Sequence, residues 1–216
     1  STSRGLGDVY KRQVLDKIKI IDFDLLEFSN IQKTIQSIMP HEIYNLAAQS
    51  FVPTSFDLPI LTSDINALGT LRILDSILTI NKNIKFYQAS TSEMFGKVKN
   101  IPQDEETLFH PRSPYGVSKT FAHYSTINYR ESYDMFACSG ILFNHESPLR
   151  GHEFVTKKIA RTLSKIKHGS NEILEIGNVE ARRDWGFAGD YVKAMYLILN
   201  HKAVSYTHLT LPTIYS

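Results

Sequence analysis

Two residues of the segment SPYGVSK have the spacing of an acid–base pair. Tyr115 and Lys119 lie four positions apart, so in a helix both side chains project from one face. An ammonium beside a phenol favours the phenolate, which suits a tyrosine to act as a general acid or base. The same spacing also arises by chance on exposed helix faces, so the pair needs support from other residues.

A second polar segment lies upstream of this pair. The run IKFYQA is typical of a buried strand, and it continues into Ser90-Thr91-Ser92-Glu93. In a parallel sheet the end of such a strand can lie beside the helix that follows it. A hydroxyl from this segment could therefore hydrogen-bond the same substrate oxygen that Tyr115 protonates or deprotonates.

Longer motifs around these residues resemble those of a known family. A short hydroxyl, a tyrosine and a lysine in this order form the catalytic set of the short-chain dehydrogenases. The segments that resemble the extended branch of that superfamily are LAAQS, QASTSEMFG, PRSPYGVSK, ILFNHESPLRG and RRDWGFAGDYV. The specific similarity is to the GDP-mannose 4,6-dehydratase family, and it runs from about Val14 to Lys202.

The resemblance implies a reaction and a role for each residue. Thr91, Tyr115 and Lys119 would form the dehydrogenase set, and Glu93 would be the additional base of a dehydratase. Tyr115 would remove the proton of the 4-hydroxyl of GDP-mannose while hydride passes from carbon 4 to NADP. Glu93 would then remove the proton on carbon 5, water would leave from carbon 6, and the hydride would return to that carbon.

The resemblance also implies which residues contact the ligands. The cofactor residues are Asp24, Leu25, Leu46, Ala47, Ala48, Gln49, Ser50, Lys119, His145 and Arg150. The substrate residues are Asn144 and Arg183. The guanidinium of Arg183 could clamp the diphosphate in a bidentate manner, or it could form a structural salt bridge with a nearby aspartate. No metal ligand is predicted.

Two alternatives stay open. The chain could belong to another nucleotide-sugar 4,6-dehydratase or an epimerase, although the pair Ser92-Glu93 differs from the Asp-Glu of the deoxythymidine-linked dehydratases, and epimerases lack the acid. The chain as written could also be an inactive partial domain. We expect the fragment itself to be inactive, because the sheet is expected to be truncated at its first βαβ unit, upstream of Asp24, where the family has its glycine-rich phosphate turn, and to lack most of the C-terminal substrate domain. When complete, the protein is expected to be a homo-oligomer, a dimer or a tetramer.

The candidate residues must be positioned by alternating strands and helices. Apolar runs predict strands at 18–21, 42–48, 84–92, 135–143 and 172–177, and helical periodicity predicts helices at 28–39, 56–80, 113–133, 154–169 and 189–201. Ser29 or Asn30 is the expected cap of the first helix. Strict alternation predicts the α/β class, a doubly wound, Rossmann-like parallel sheet with its chemistry beyond the carboxyl ends of the strands.

Composition limits which partners and which cellular compartment we expect. The 216 residues carry a net charge of +2, with 42% hydrophobic and 21% charged residues, so no nucleic-acid or membrane-surface partner is expected. No apolar stretch approaches a membrane span, and no signal peptide is recognised. The single cysteine, Cys138, lies in an apolar run and is expected to be a buried thiol in a protein of the reducing cytoplasm.

The two ends of the chain resemble translated adapter DNA rather than natural protein sequence. SRGLGDVYKRQ, which contains the G-x-G of Gly5 and Gly7, and AVSYTHLTLPT both resemble translated sequencing adapters. We therefore expect residues 1–13 and 203–216 to be artefactual and residues 14–202 to be a partial NADP-binding domain.

Overall fold

The structure is a computed structural model that describes residues 17–98, 101–104, 106–180 and 183–201. The predicted artefactual ends, with Gly5 and Gly7, lie outside the described residues. The described chain divides into two compact units, a larger one of residues 22–143 and 192–201 and a smaller one of residues 17–21 and 144–191.

The larger unit is an α/β unit built around a three-stranded parallel sheet. Its strands are β1 (Glu42–Asn45), β2 (Lys85–Thr91) and β3 (Ala137–Leu142), in the order β1-β2-β3. Tyr44 is aligned with Tyr87, and Gln88 with Ser139. Parallel neighbours need crossover connections, and helices provide them here, as the alternating sequence pattern predicted.

Among its described residues up to 143, the larger unit has five helices and two short turns. The helices are α1 (Phe28–Ile38), α2 (Val52–Asp57), α3 (Pro59–Ser63), α4 (Gly69–Asn81) and α5 (Pro114–Tyr133). A π-helical turn (Asp64–Leu68) precedes α4, and a 3₁₀ turn (Ser92–Met94) follows β2. The apolar core lies between α1, α4 and the sheet; its buried members include Ile31, Ile35, Leu74, Ile77 and Phe86.

Local chemistry explains where these helices begin and end. Ser113 caps α5, because its Oγ accepts a hydrogen bond of 3.0 Å from the backbone N–H of Gly116, and Pro114 occupies the first turn. The predicted helix at 56–80 is broken at Leu58, because Pro59 has no backbone N–H to donate and so begins a new helix. The cap of α1 is Glu27, so the predicted cap at Ser29 or Asn30 was wrong by two or three residues.

The smaller unit contains two short parallel strands and one helix. β4 (Asn144–Glu146) pairs with β5 (Trp185–Phe187), and α6 (Val155–Lys167) lies between them in the chain. The helix α7 (Ala188–Leu199) begins among the residues of this unit, and its residues from Val192 onward belong to the larger one.

Two predicted strands are wrong. Ile18–Ile21 and the segment 172–177 have no strand hydrogen bonding. Their isoleucines, Ile18, Ile20 and Ile173, are exposed rather than packed. A strand requires a hydrogen-bonded neighbour as well as β-branched residues, and neither segment pairs with another strand in the described part of the chain.

Candidate active site

The end of β2 presents a hydroxyl and a carboxylate, as the sequence predicted. Thr91 is the last residue of the strand, and its Oγ1 accepts a 3.3 Å hydrogen bond from the backbone N–H of Glu93, which closes the 3₁₀ turn. Met94 is fully buried and anchors the turn, whereas Glu93 is exposed. The turn therefore holds its backbone in the protein and directs a carboxylate to solvent.

The first turns of α5 carry the tyrosine and the lysine on the buried side of the helix. Tyr115 and Lys119 are 9% and 3% exposed, while Val117 between them is half exposed. A spacing of four residues gives them the same face, as predicted. Both side chains are thus largely buried by the protein itself.

Packing joins these two elements directly. A Cβ added to Gly116 would lie 2.8 Å from the carbonyl oxygen of Glu93, so the backbone of α5 and that of the 3₁₀ turn are in close contact. A side chain at this position would push the two elements apart, and glycine permits the approach. The structure therefore brings the strand end that carries Thr91 and Glu93 against the helix turn that carries Tyr115.

Burial alters the acid–base behaviour of Lys119. The low polarity of its surroundings lowers the pKa of this amine from 10.5 to about 8, because the charged form is poorly solvated. The proton on Lys119 is therefore less firmly held than on a surface lysine, and the group can change its charge close to neutral pH.

The loop after β1 contains the predicted cofactor residues Leu46, Ala47, Ala48, Gln49 and Ser50. Leu46, Ala47 and Ser50 are exposed, and Ala48 and Gln49 are partly buried. The segment follows the carboxyl end of β1, the edge at which parallel sheets bind their ligands.

Asn66 fixes this loop, and the sequence reasoning missed it. Its Oδ1 accepts a 2.9 Å hydrogen bond from the backbone N–H of Gln49, and its Nδ2 donates to the carbonyl of the same residue at 3.1 Å. Nδ2 also donates to Ser118 Oγ at 3.2 Å, and that hydroxyl donates to the Tyr115 carbonyl at 2.8 Å. A buried asparagine in the otherwise apolar stretch INAL was the available signal, because buried amides are kept only where they are hydrogen-bonded.

A second buried polar cluster connects β1, β2 and α4. Asn45 Nδ2 donates to Gln88 Oε1 at 2.8 Å and to Thr70 Oγ1 at 3.1 Å. Thr70 Oγ1 in turn donates to the Asn66 carbonyl at 2.9 Å. These directional bonds fix the register of the strands beneath the loop.

Asp24 and Leu25 differ in what they can offer a ligand. The Asp24 carboxylate is exposed, and one of its oxygens accepts a 2.9 Å hydrogen bond from the Leu26 N–H. The Leu25 side chain is buried in the core, and Arg72 donates to its carbonyl at 3.0 Å. Any ligand contact of Leu25 would therefore use its backbone.

The smaller unit contains the other four predicted ligand residues. Asn144 and His145 lie on β4, and the His145 ring stacks on the Tyr191 ring with centroids 4.8 Å apart. Arg150 forms an ion pair with Glu146, with its Nε 3.4 Å from Glu146 Oε2. Its guanidinium carbon, Cζ, lies 3.5 Å from the centroid of the Phe154 ring. Arg183 is exposed, just before β5.

The described residues show neither a metal-binding cluster nor a membrane-spanning helix. Within the described ranges, no group of three or more histidine, cysteine or acidic side chains could hold a metal ion. Across those same residues, no helix has the length and apolar character that a membrane crossing requires.

Comparison with known proteins decides the family. The sequence model of the family described as GDP-mannose 4,6 dehydratase matches residues 2–214. The chain belongs to the GDP-mannose 4,6-dehydratase family. The resemblance inferred from its motifs is thereby confirmed.

Relatives of this dehydratase family occur in distant organisms. The GDP-mannose 4,6 dehydratase of Drosophila melanogaster is 52% identical over 191 residues, which are 88% of this chain and 48% of the relative. The human protein of the same name is 53% identical over 180 residues, covering 82% and 48%. The chain thus spans about half the length of the curated relatives it matches.

Solved structures confirm the predicted Rossmann-like α/β fold of this dehydratase-family chain. RMD from Pseudomonas aeruginosa, complexed with NADPH, has a TM-score of 0.80 and 27% identity, with 93% of this chain and 72% of that chain covered. dTDP-glucose 4,6-dehydratase from Bacillus anthracis, in complex with NAD, has a TM-score of 0.77 at 22% identity, covering 94% and 61%.

Proposed function

We propose that this chain supplies the catalytic core of an NADP-dependent hydro-lyase that converts GDP-mannose into GDP-4-keto-6-deoxymannose. The observation that carries the proposal is the contact between the turn holding Glu93 and the first turn of α5, which holds Tyr115. An exposed carboxylate beside a tyrosine–lysine pair provides the two bases that oxidation and elimination require. The family membership supplies the nature of the substrate.

The residues present fit a nicotinamide dinucleotide. The segment 46–50 lies at the carboxyl end of β1 with Leu46, Ala47 and Ser50 exposed, and Asn66 holds it in place. The buried amine of Lys119 is proposed as a further donor to the cofactor. When bound, NADP supplies a reversible two-electron acceptor for carbon 4 of the sugar and returns the electrons at carbon 6.

The side chains of the chain then move the protons. Tyr115 takes the proton of the 4-hydroxyl, and Thr91 hydrogen-bonds the same oxygen. The charged form of Lys119 favours the phenolate of Tyr115. Glu93 takes the proton from carbon 5, which the new ketone has acidified, and that proton leaves with the departing 6-hydroxyl as water. Tyr115 returns the proton of the 4-hydroxyl to carbon 5 when hydride is added at carbon 6.

The remaining ligand contacts are part of the proposal. Asp24, Leu25 and the segment 46–50 would hold the nucleotide end of the cofactor. His145 and Arg150 of the smaller unit would be further cofactor residues. Asn144 and Arg183 would contact the diphosphate of the sugar nucleotide. Exposure of the Arg183 guanidinium is compatible with a bidentate clamp.

Replacement of Glu93 tests the proposed elimination. The chain is incubated with GDP-mannose and NADP, and formation of the 4-keto-6-deoxy product is followed. Glu93→Gln should lower the rate by about 10²- to 10⁴-fold, because the base is lost while the shape is kept. Glu106→Gln, an exposed glutamate in the following loop, is the matched control and should retain the rate. Unchanged turnover in Glu93→Gln would overturn the role of this residue.

Titration with NADP, combined with the turnover assay, distinguishes an active enzyme from an inactive partial domain. Saturable stabilisation of the chain against heat would support the proposed cofactor site, since a ligand that binds only the folded state raises its stability. Stabilisation without turnover would identify a cofactor-binding partial domain. No stabilisation at any NADP concentration would contradict the proposed cofactor.

We also propose a cytoplasmic homo-oligomer. Burial raises the pKa of the Cys138 thiol to about 12, so this cysteine is kept as a protonated, unreactive group. Exposed apolar side chains on α5, α2 and α3, which pack on one another, form a surface suited to a second copy; they include Val117, Phe121, Phe56 and Ile60.

A further inference from the structure

A buried hydrogen bond between Ser90 and His123 joins β2 to α5. Ser90 Oγ lies 2.9 Å from His123 Nδ1, and both residues are 2% exposed. Ser90 directly precedes Thr91 in the strand, and His123 lies one helical turn after Lys119. The bond therefore connects the two elements that carry the two halves of the proposed catalytic set.

Aromatic rings fix the orientation of the His123 imidazole. The Phe109 ring meets it edge-on, with centroids 5.4 Å apart and an interplanar angle of 90°. Phe109 also packs on Phe95 at 5.2 Å, and Phe95 is the residue that follows the 3₁₀ turn of Glu93. The imidazole is thus enclosed by side chains that extend to the segment following Glu93.

A directional bond constrains this interface in a way that apolar packing does not. Apolar contacts are non-directional, so they hold β2 and α5 together without fixing their register. A hydrogen bond needs a donor–acceptor separation near 3 Å and good alignment, and so it fixes the position of one element along the other. If His123 is replaced by an apolar residue, the Ser90 hydroxyl remains buried and loses this bond.

We propose that Ser90 and His123 are a positioning pair, which sets Thr91 and Glu93 at the required distance from Tyr115 and Lys119. The proposal rests on the dehydratase function proposed above. Neither side chain needs to touch the substrate, because the pair acts through the elements it joins. Asparagine can replace the histidine in this role, since its terminal amide places an oxygen or a nitrogen where Nδ1 lies.

Turnover of the full chain tests the pair through three variants. His123→Leu should lower kcat by about 10- to 100-fold with little change in KM, because small displacements of reacting groups cost that much. His123→Asn should recover most of the lost kcat. Thr126→Val is the matched control. Among the described residues this buried hydroxyl donates to the Ala122 carbonyl of the same helix at 2.9 Å, and its loss should leave kcat unchanged.

Two kinetic results would overturn the proposal. The first is a wild-type kcat in His123→Leu. The second is equal loss in His123→Leu and His123→Asn, since a purely space-filling histidine would not be rescued by an amide.

Hydrogen exchange tests the pair independently of turnover. Amides of the segment 90–95 should exchange at least about tenfold faster in His123→Leu than in the wild type, and His123→Asn should restore their protection. Thr126→Val should not change them. If the wild-type chain shows no turnover, the proposed function fails, and these exchange rates alone decide whether the pair holds the strand end. Equal exchange in all variants would overturn the positioning role.

Discussion

The buried amine of Lys119 links function to stability at the level of a single residue. Its pKa is lowered from 10.5 to about 8 in the folded chain by burial. Between these two pH values the unfolded chain binds more protons than the folded chain, so the contribution of Lys119 to stability rises with pH across that window. At neutral pH the folded chain contains a poorly solvated charge, which lowers its stability.

Replacement of Lys119 by methionine should therefore stabilise the ligand-free chain at neutral pH. The expected gain is on the order of 1–3 kcal/mol at pH ~7, and it should shrink as the pH approaches ~10, where the native amine becomes neutral. Urea unfolding of both proteins at the two pH values measures the difference. Turnover should be lost in the same variant. A difference that grows with pH would contradict the direction of the shift.

At the level of secondary structure, the sequence predicted the elements that hold the proposed catalytic residues. β2, α5 and β3 were found with bounds close to the observed ones, because each combines a long apolar pattern with a clear terminal signal. Ser113 and Pro114 at the start of α5 are such a signal. Thr91, Glu93, Tyr115 and Lys119 could therefore be assigned to one strand end and one helix.

Other features depend on tertiary contacts that a local pattern does not contain. The runs at 18–21 and 172–177 have strand composition but no paired neighbour among the described residues, and so they were wrongly predicted. The strands β4 and β5 were missed because three residues are too few to show a period. Asn66, Ser90 and His123 were not recognised as supporting residues, because their partners lie far away in the chain.

Asn66 gives a prediction about the loop that follows β1. Asn66→Ala removes both bonds to the Gln49 backbone and the bond to Ser118, so the loop loses its anchor to the helices. We expect a loss of about 1–3 kcal/mol in unfolding free energy, because buried groups are left without partners, and a weaker affinity for NADP. Chemical unfolding and NADP titration measure the two effects.

The control for this prediction is an asparagine on α5. Asn128→Ala removes only an exposed side-chain bond to Ser132, and it should change neither the unfolding free energy nor the affinity by a measurable amount. If Asn66→Ala behaved like Asn128→Ala, the amide would have no anchoring role in the loop.

At the level of the whole molecule, the chain combines a Rossmann-like fold with the proposed acid–base residues. It matches the family over residues 2–214 and spans about half of the Drosophila melanogaster and human relatives. Its larger unit has a packed core and the complete proposed set of acid–base residues. The proposed acid–base roles can therefore be tested in this chain by unfolding, NADP titration and turnover assays.

The exposed apolar surface of the whole molecule predicts that it self-associates. Val117 and Phe121 are 55% and 44% exposed and lie one turn apart on α5, and Phe56 and Ile60 are exposed on the helices packed against it. Apolar side chains concentrated on adjacent helices mark an interaction surface in soluble proteins. A closed dimer would bury the same surface of both copies.

Charges placed on this surface should therefore separate the copies. We expect the wild-type chain to sediment as a dimer or a larger assembly, and the double variant Val117→Lys with Phe121→Lys to sediment as a monomer. Ile38→Lys on α1, which introduces the same charge at another exposed apolar residue, should leave the assembly intact. Sedimentation velocity over a range of concentrations distinguishes these cases. A monomeric wild-type chain would contradict the proposed oligomer, and dissociation by Ile38→Lys as well would show that added charge, rather than the α5 surface, controls association.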